Sequence, residues 1–321
     1  MRARGETCTT QSQMKPADRD ALAAAAKGLA AKVQAGDAAG VKSGAVGELA
    51  KDFSAVEYVV GNSAPKLKGG ALSVEQVYLL DATQLKRNAD GSAEDSQFFC
   101  SLNKSPQEVN FLIPSLPPGL YGFAIVDVSD AAPWRLSFLL RKEQAGWLMA
   151  GFYPKATTAA GHDGLWYWTE ARKMATAKQP WDAWLYYQQA KLLLRPVNFV
   201  QSSHLDKLDA EQKSAAPPQL TEGVSAEAPL VVKGADSVEY RFIGLGVDDS
   251  LAKDKVDVAA HLQVPSLLTD PGAARKRNDA AAAALLRAFP EMRPMFHGVW
   301  IYAEADGQAP FATEQTMSEI H

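Results

Sequence analysis

The chain has 321 residues, 47% hydrophobic and 22% charged, with a formal net charge of −4. That balance excludes global disorder and leaves no basic footprint for nucleic acid. The length accommodates about two domains. No apolar run reaches the roughly 20 residues that a bilayer-spanning helix requires.

Residues 1–16 read as a polar tail. Within it, Cys8-Thr9-Thr10-Gln11 resembles the start of a mature bacterial lipoprotein, where the Cys carries lipid and a polar tether follows. The resemblance implies lipidation at Cys8, a lipid tether and a periplasmic or cell-envelope location. The apolar residues that should precede such a Cys are missing, so a free Cys in a tail of a cytoplasmic protein is the alternative. Cys100, in QFFCSL, alternates within a strand-like run and reads as an apolar filler. Nothing in the sequence supports a Cys8–Cys100 disulfide, and two cysteines leave no zinc-thiolate spacing.

Residues 17–53 are Ala-rich and helical, with a stripe through Leu22, Leu29 and Val33. Gly36-Asp37 breaks the stretch, and a second helix is expected through Val41, Val46, Leu49 and Phe53. From residue 55 the period changes to two. VEYVV, VEQVYLLDATQL, SQFFCSL, EVNFLI, LYGFAIVDVS, WRLSFLLRK and GWLMAGFY are β-branched or aromatic runs divided by turn residues, which predicts an antiparallel meander. In the last hairpin, Trp134, Leu136, Phe138 and Leu140 alternate cleanly. Leu148 and Phe152 are expected to face one way, and Trp147, Met149 and Tyr153 the other. A strand apolar on both faces needs cover on both. The N-terminal helices are expected on one face and the Trp-rich segment that follows on the other.

Residues 158–205 contain that segment, two helices broken at Gln179-Pro180. Ala183, Tyr187 and Ala190 resemble the spacing of the second helix of a tetratricopeptide unit, and Trp168, Ala171 and Ala175 roughly fit its first. Residues 206–228 are polar and read as a linker. Residues 229–321 form a second α+β domain. There Val256, Val258, Ala260, Leu262 and Val264 face inward, while Lys255, Asp257, His261 and Gln263 face outward. Asp270 is the expected N-cap of a helix running to Pro290, with Pro271 at its first position. The fold class is therefore α+β: N-terminal helices on a curved antiparallel sheet, an aromatic helical hairpin, then an antiparallel sheet with one helix.

Across residues 17–157 the A-G-D turn (Ala35, Gly36, Asp37), the Phe53 region leading into strands, and the closing hairpin with its basic strand end, Gly turn and Trp resemble the nuclear-transport-factor-like, or cystatin-like, cone fold. That fold hosts enzymes, ligand binders and scaffolds. The resemblance implies an interior pocket, for which Tyr58, Tyr78, Asp81, Tyr121 and Asp127 are the available groups. Asp127 facing inward would be a plausible general base. On the open side of the sheet it is a surface carboxylate, and Tyr58 and Tyr78 read equally well as core aromatics.

No nucleophile elbow, zincin motif or phosphate loop is present, and no cofactor motif. The five histidines form no close pair, so no metal ligand is assigned, and Asp248, Asp249, Asp254 and Asp257 read as a solvated turn interleaved with Lys253 and Lys255. Trp166, Tyr167, Trp168, Trp181, Trp184, Tyr186 and Tyr187 form the densest aromatic cluster, with Trp166, Trp168, Trp181, Trp184 and Tyr187 the candidate interaction residues. Its residues pack between domains or leave an exposed interaction patch. The leading expectation is a non-enzymatic bacterial cell-envelope accessory protein that binds a protein or small ligand. The alternative is a cyclase, isomerase or hydrolase of the cone fold using Asp127 or Asp81 with a Tyr.

Overall fold

The computed structural model describes residues 6–101, 107–220, 223–235, 237–251 and 254–321. The first five residues of the expected tail, Leu102, Lys253 and residues 221–222 of the expected linker lie outside them. The chain is α+β. It opens with β1 (Thr7–Thr10) and the helices α1 (Pro16–Gln34), α2 (Ala38–Ser43), α3 (Gly47–Lys51) and α4 (Ser54–Leu67). The strands β2 (Ala71–Asp81), β3 (Ser96–Ser101), β4 (Glu108–Ile113), β5 (Leu120–Ser129), β6 (Trp134–Glu143) and β7 (Gly146–Ala156) follow. Two short strands, β8 (Thr158–Ala159) and β9 (His162–Asp163), precede helices α5 (Gly164–Thr176) and α6 (Pro180–Leu194), strand β10 (Val200–Ser202) and helix α7 (Ser203–Ala215). The last part holds β11 (Leu230–Lys233), β12 (Glu239–Asp248), β13 (Asp257–Gln263), α8 (Pro271–Ala288), α9 (Met292–Met295), β14 (Gly298–Glu304) and β15 (Phe311–Thr316). Among the described residues no helix is long and apolar enough to cross a membrane. The chain divides into two units, Met1–Thr158 with Leu193–Lys207, and Ala159–Leu192 with Leu208–His321.

In the first unit an antiparallel sheet runs in the order β1-β2-β5-β6-β7. Its helix-facing side meets α1, which buries Leu22, Ala26, Leu29, Ala30 and Val33, a helical stripe. Val126, Val128, Leu136, Phe138, Leu140 and Met149 complete this core. The approach is close: a Cβ on Gly122 would lie 2.3 Å from Leu22 Cδ1. The space between helices and sheet is thus filled with side chains.

The opposite side of the sheet is covered by a second sheet, β10-β4-β3. Phe98, Phe111 and Val200 pack there on Tyr78, Tyr121, Phe123 and Leu139. Edge-to-face ring contacts run Tyr78–Phe111–Phe123–Phe199–Tyr153 at 5.1, 5.2, 5.8 and 5.4 Å. This corrects two expectations. The strands are not a simple meander, because the β3–β4 hairpin leaves the main sheet and β2 pairs with β5. And the second face of the β6–β7 hairpin has its cover inside its own unit. The expected β7 phase holds for Trp147 and Met149 and fails beyond them. Leu139 pairs with Gly151 and Leu140 with Met149, so Ala150 is an extra residue, a bulge. It puts Trp147, Met149 and Phe152 on the helix side together.

Three further corrections concern the N-terminal part. VEYVV is not a strand but part of α4, where Val56, Val60, Ser63 and Leu67 follow helical spacing, and that longer period overrides local β-propensity. The expected second helix is two short ones. Between them the Val46 amide donates to the Met149 carbonyl and the Met149 amide to the Gly44 carbonyl. The tail reading fails for residues 7–10, which pair antiparallel with β2, Thr7 opposite Asp81 and Thr10 opposite Tyr78. Cys8, in that strand, forms a disulfide with Cys100 of β3, with Cα atoms 5.2 Å apart. Cys100 is therefore no mere filler, and the Cys8 sulfur is not available for a lipid thioether.

In the second unit the sheet order is β11-β12-β13-β14-β15. Its strands pair antiparallel except β13 and β14, which are parallel because α8 crosses between them. The expected inward set from Val256 to Val264 is buried. The Asp270 side chain caps α8 by accepting from the Gly272 and Ala273 amides at 3.3 and 3.0 Å. Asn278 of α8, fully buried, donates to the Ile301 carbonyl and Thr313 Oγ1. The expected linker begins as helix, since α7 extends to Ala215, with Leu205 and Leu208 buried.

Candidate functional site

The five pocket candidates do not converge on a cavity between helices and sheet. Tyr58 lies on α4 and is 72% exposed. Tyr78 and Tyr121 are buried on the opposite side of the sheet, in the aromatic layer. Burial pushes the Tyr78 hydroxyl up to about 12. Asp81 ends β2 and accepts from the Thr83 amide and hydroxyl at 2.9 and 2.6 Å, a local turn contact. Asp127 stands opposite Arg135 in register and takes its guanidinium as a fork, at 2.8 and 3.0 Å. Next to Arg135 across the β6–β7 pair is Lys155, whose amine donates to the Arg195 carbonyl at 2.7 Å. Burial, then the charges of Arg135 and Arg195, depress that amine to about 8. In this cationic neighbourhood Asp127 is a counter-ion, and the general-base reading is corrected.

Of the five, Tyr121 lines a groove of about 410 Å³, together with Val46, Leu49, Leu116, Arg141 and Tyr153. The Tyr121 hydroxyl donates to the Pro117 carbonyl at 2.8 Å. Arg141 reaches Glu48 at 3.1 Å and Glu143 at 2.5 Å, so its charge is matched by two carboxylates. The remaining wall is largely apolar.

The aromatic cluster is interior rather than an exposed patch. Trp168, Trp181 and Tyr187 are buried, and Trp166 and Trp184 are partly buried. Trp181 packs on Phe289 with ring centroids 4.1 Å apart, and neighbouring Tyr186 meets Phe296. Trp166 stacks on His162 at 3.7 Å. Trp168 donates its indole N–H to Glu211, which also takes the Arg172 fork. Ala183 and Ala190 are buried too, because helix α6 is packed on nearly all sides. The interaction-patch reading is corrected accordingly.

The second unit brings together three residues that the sequence left apart. Asp257, which opens β13, is only 1% exposed, against the expectation of a solvated turn. His297 precedes β14 and Glu314 lies on β15. β13 pairs with β14 from Val258 opposite Val299, and β14 pairs with β15 (Trp300 opposite Glu314), which brings the three residues together. Their ligand-type atoms all lie within 4.8 Å of one another. His297 Nδ1 is 2.8 Å from Asp257 Oδ1 and 3.9 Å from Glu314 Oε1. Asp257 Oδ2 and Glu314 Oε1 are buried without a hydrogen-bond partner among the described residues. Burial raises the carboxyl of Asp257, against the pull of His297, and burial then the Asp257 charge raises that of Glu314. Of the acidic turn, Asp249 and Asp254 are exposed as expected, while Asp248, half-buried at the end of β12, accepts from the Ser250 amide at 2.8 Å.

No family model, no curated protein and no solved structure matches this chain. Glu314 carries no signal in the sequence. A hint was available in Asp257, a carboxylate opening a strand of Val and Ala, and in the glycine directly after His297.

Proposed function

We propose that this chain is a non-enzymatic accessory protein of the bacterial cell envelope that works in an oxidising compartment by binding a small ligand or a protein. The Cys8–Cys100 disulfide carries the reading, since such bonds persist outside the reducing cytosol. The helices packed on one side of an antiparallel sheet are in keeping with a cone-fold binding scaffold, and the groove beside Tyr121 and Arg141 is the ligand site this reading favours. The lipid-tether part of the envelope reading is dropped, because the Cys8 sulfur is already bonded.

The enzyme alternative is weaker. Asp127 is engaged by Arg135 and Asp81 by Thr83, and neither lines the groove that holds Tyr121. The test of the compartment is thiol trapping in intact cells of the native host with a maleimide, followed by mass measurement. The expected result is no adduct without reductant and two after reduction. Two adducts without reductant would place the protein in a reducing compartment and overturn the reading.

A further inference from the structure

We propose that Asp257, His297 and Glu314 form a binding site for a zinc-class divalent cation. Ligands held at about 2.0–2.2 Å around a tetrahedral ion stand roughly 3.4 Å apart. The distances from His297 Nδ1 to the two carboxylates, 2.8 and 3.9 Å, bracket that value. The donor set is one imidazole and two carboxylates, without sulfur. It suits a borderline divalent ion better than the all-oxygen shell that calcium or magnesium requires.

Two observations besides the clustering point to a cation. The first is the unpartnered Oδ2 of Asp257, whose residue is 1% exposed, beside the likewise unpartnered Glu314 Oε1. A buried carboxylate and a half-buried one gathered beside a single imidazole hold more negative charge than the imidazole can offset, and buried charge without a partner is costly. The second is Gly298. A Cβ there would lie 2.5 Å from the Gln315 carbonyl, 2.6 Å from Glu314 Oε1 and 3.1 Å from Asp257 Oδ1, so the glycine admits the close approach of β15 and leaves the room in which these two carboxylate oxygens converge. The ring of His297 has 35% of its side-chain surface exposed, which gives an ion a route from solvent. Three protein ligands leave a fourth position for water. His297 Nδ1 gives up its proton to solvent when the ion takes its place beside the Asp257 carboxylate.

The test uses the full chain, tag-free and with its disulfide intact, so that neither a His tag nor a thiol competes. Zn²⁺ alone is titrated by calorimetry, and melting is followed with and without it. The expected result is one Zn²⁺ per chain and a melting temperature that rises with Zn²⁺ concentration but not with Mg²⁺. Glu314→Gln and His297→Asn should each weaken Zn²⁺ binding at least about tenfold. Glu314→Gln should at the same time melt no lower than the parent in the absence of metal, because it removes a buried charge at constant shape. No uptake of Zn²⁺, an equal response to Mg²⁺, or affinity unchanged in both variants would overturn the proposal. These outcomes are independent of the thiol-trapping result.

Discussion

The carboxyl of Asp182 is fully buried near the start of α6, and neither oxygen has a hydrogen-bond partner among the described residues. Burial, then the charge of Glu291, raises it to about 8. Below about pH 4 the acid is protonated in both the folded and the unfolded chain and has no effect on the balance. Between there and about pH 8 the folded state keeps a proton that the unfolded state has released. Stability therefore falls as pH rises through that window, by at most about 1.4 kcal/mol per pH unit. Urea unfolding from about pH 4 to 9 should show Asp182→Asn matching the parent at the acid end and exceeding it at the alkaline end; parallel curves would refute this. At the same scale, the candidate residues drawn from the resemblance were assigned by type, and type does not say which partner a side chain meets. Asp127 looked free in its strand because Arg135 is eight positions away and becomes its neighbour only through the β5–β6 register.

Gly122 is where the helix layer meets the sheet. Its substitution by Ala forces Leu22 to move in a closed core and should cost about 1–3 kcal/mol in urea unfolding. Leu22→Ala in the same background should recover part of that loss, since the two sites share one space. The covalent link between β1 and β3 spans 92 residues, so reduction should lower stability by roughly 2–5 kcal/mol, and Cys8→Ser with Cys100→Ser should reproduce the effect. Equal melting of oxidised and reduced protein would show that pairing with β2 holds β1 without the bond. Strand positions were legible because Phe98, Cys100 and the residues of β5 and β6 alternate. The partner of each strand was not. An alternating strand declares a buried face, and any complementary face can cover it. The bulge at Ala150 illustrates the limit, since one extra residue exchanged the expected faces of Phe152 and Tyr153 beyond it.

The two units are interleaved along the chain: residues 193–207 return to the first unit after the helical hairpin, and β10 pairs there with β4. A fragment of residues 1–158 therefore lacks the strand and the Phe199 ring that close the aromatic layer. It should unfold at lower urea than the first unit does within the whole chain, or aggregate through the β4 edge; chromatography and urea melts decide this. What the sequence by itself determined was local. It set the α+β class, the helices α1, α5, α6 and α8, nearly all the longer strands, the Asp270 cap and the inward face of β13, because periodicity and capping act over a few residues. Only the tertiary structure decided the rest: the Cys8–Cys100 bond, the aromatic layer across β5, and the meeting of Asp257 with His297 forty positions later. Each depends on which distant strands lie side by side. That choice is made by the packing of whole faces, and no short stretch of chain contains it.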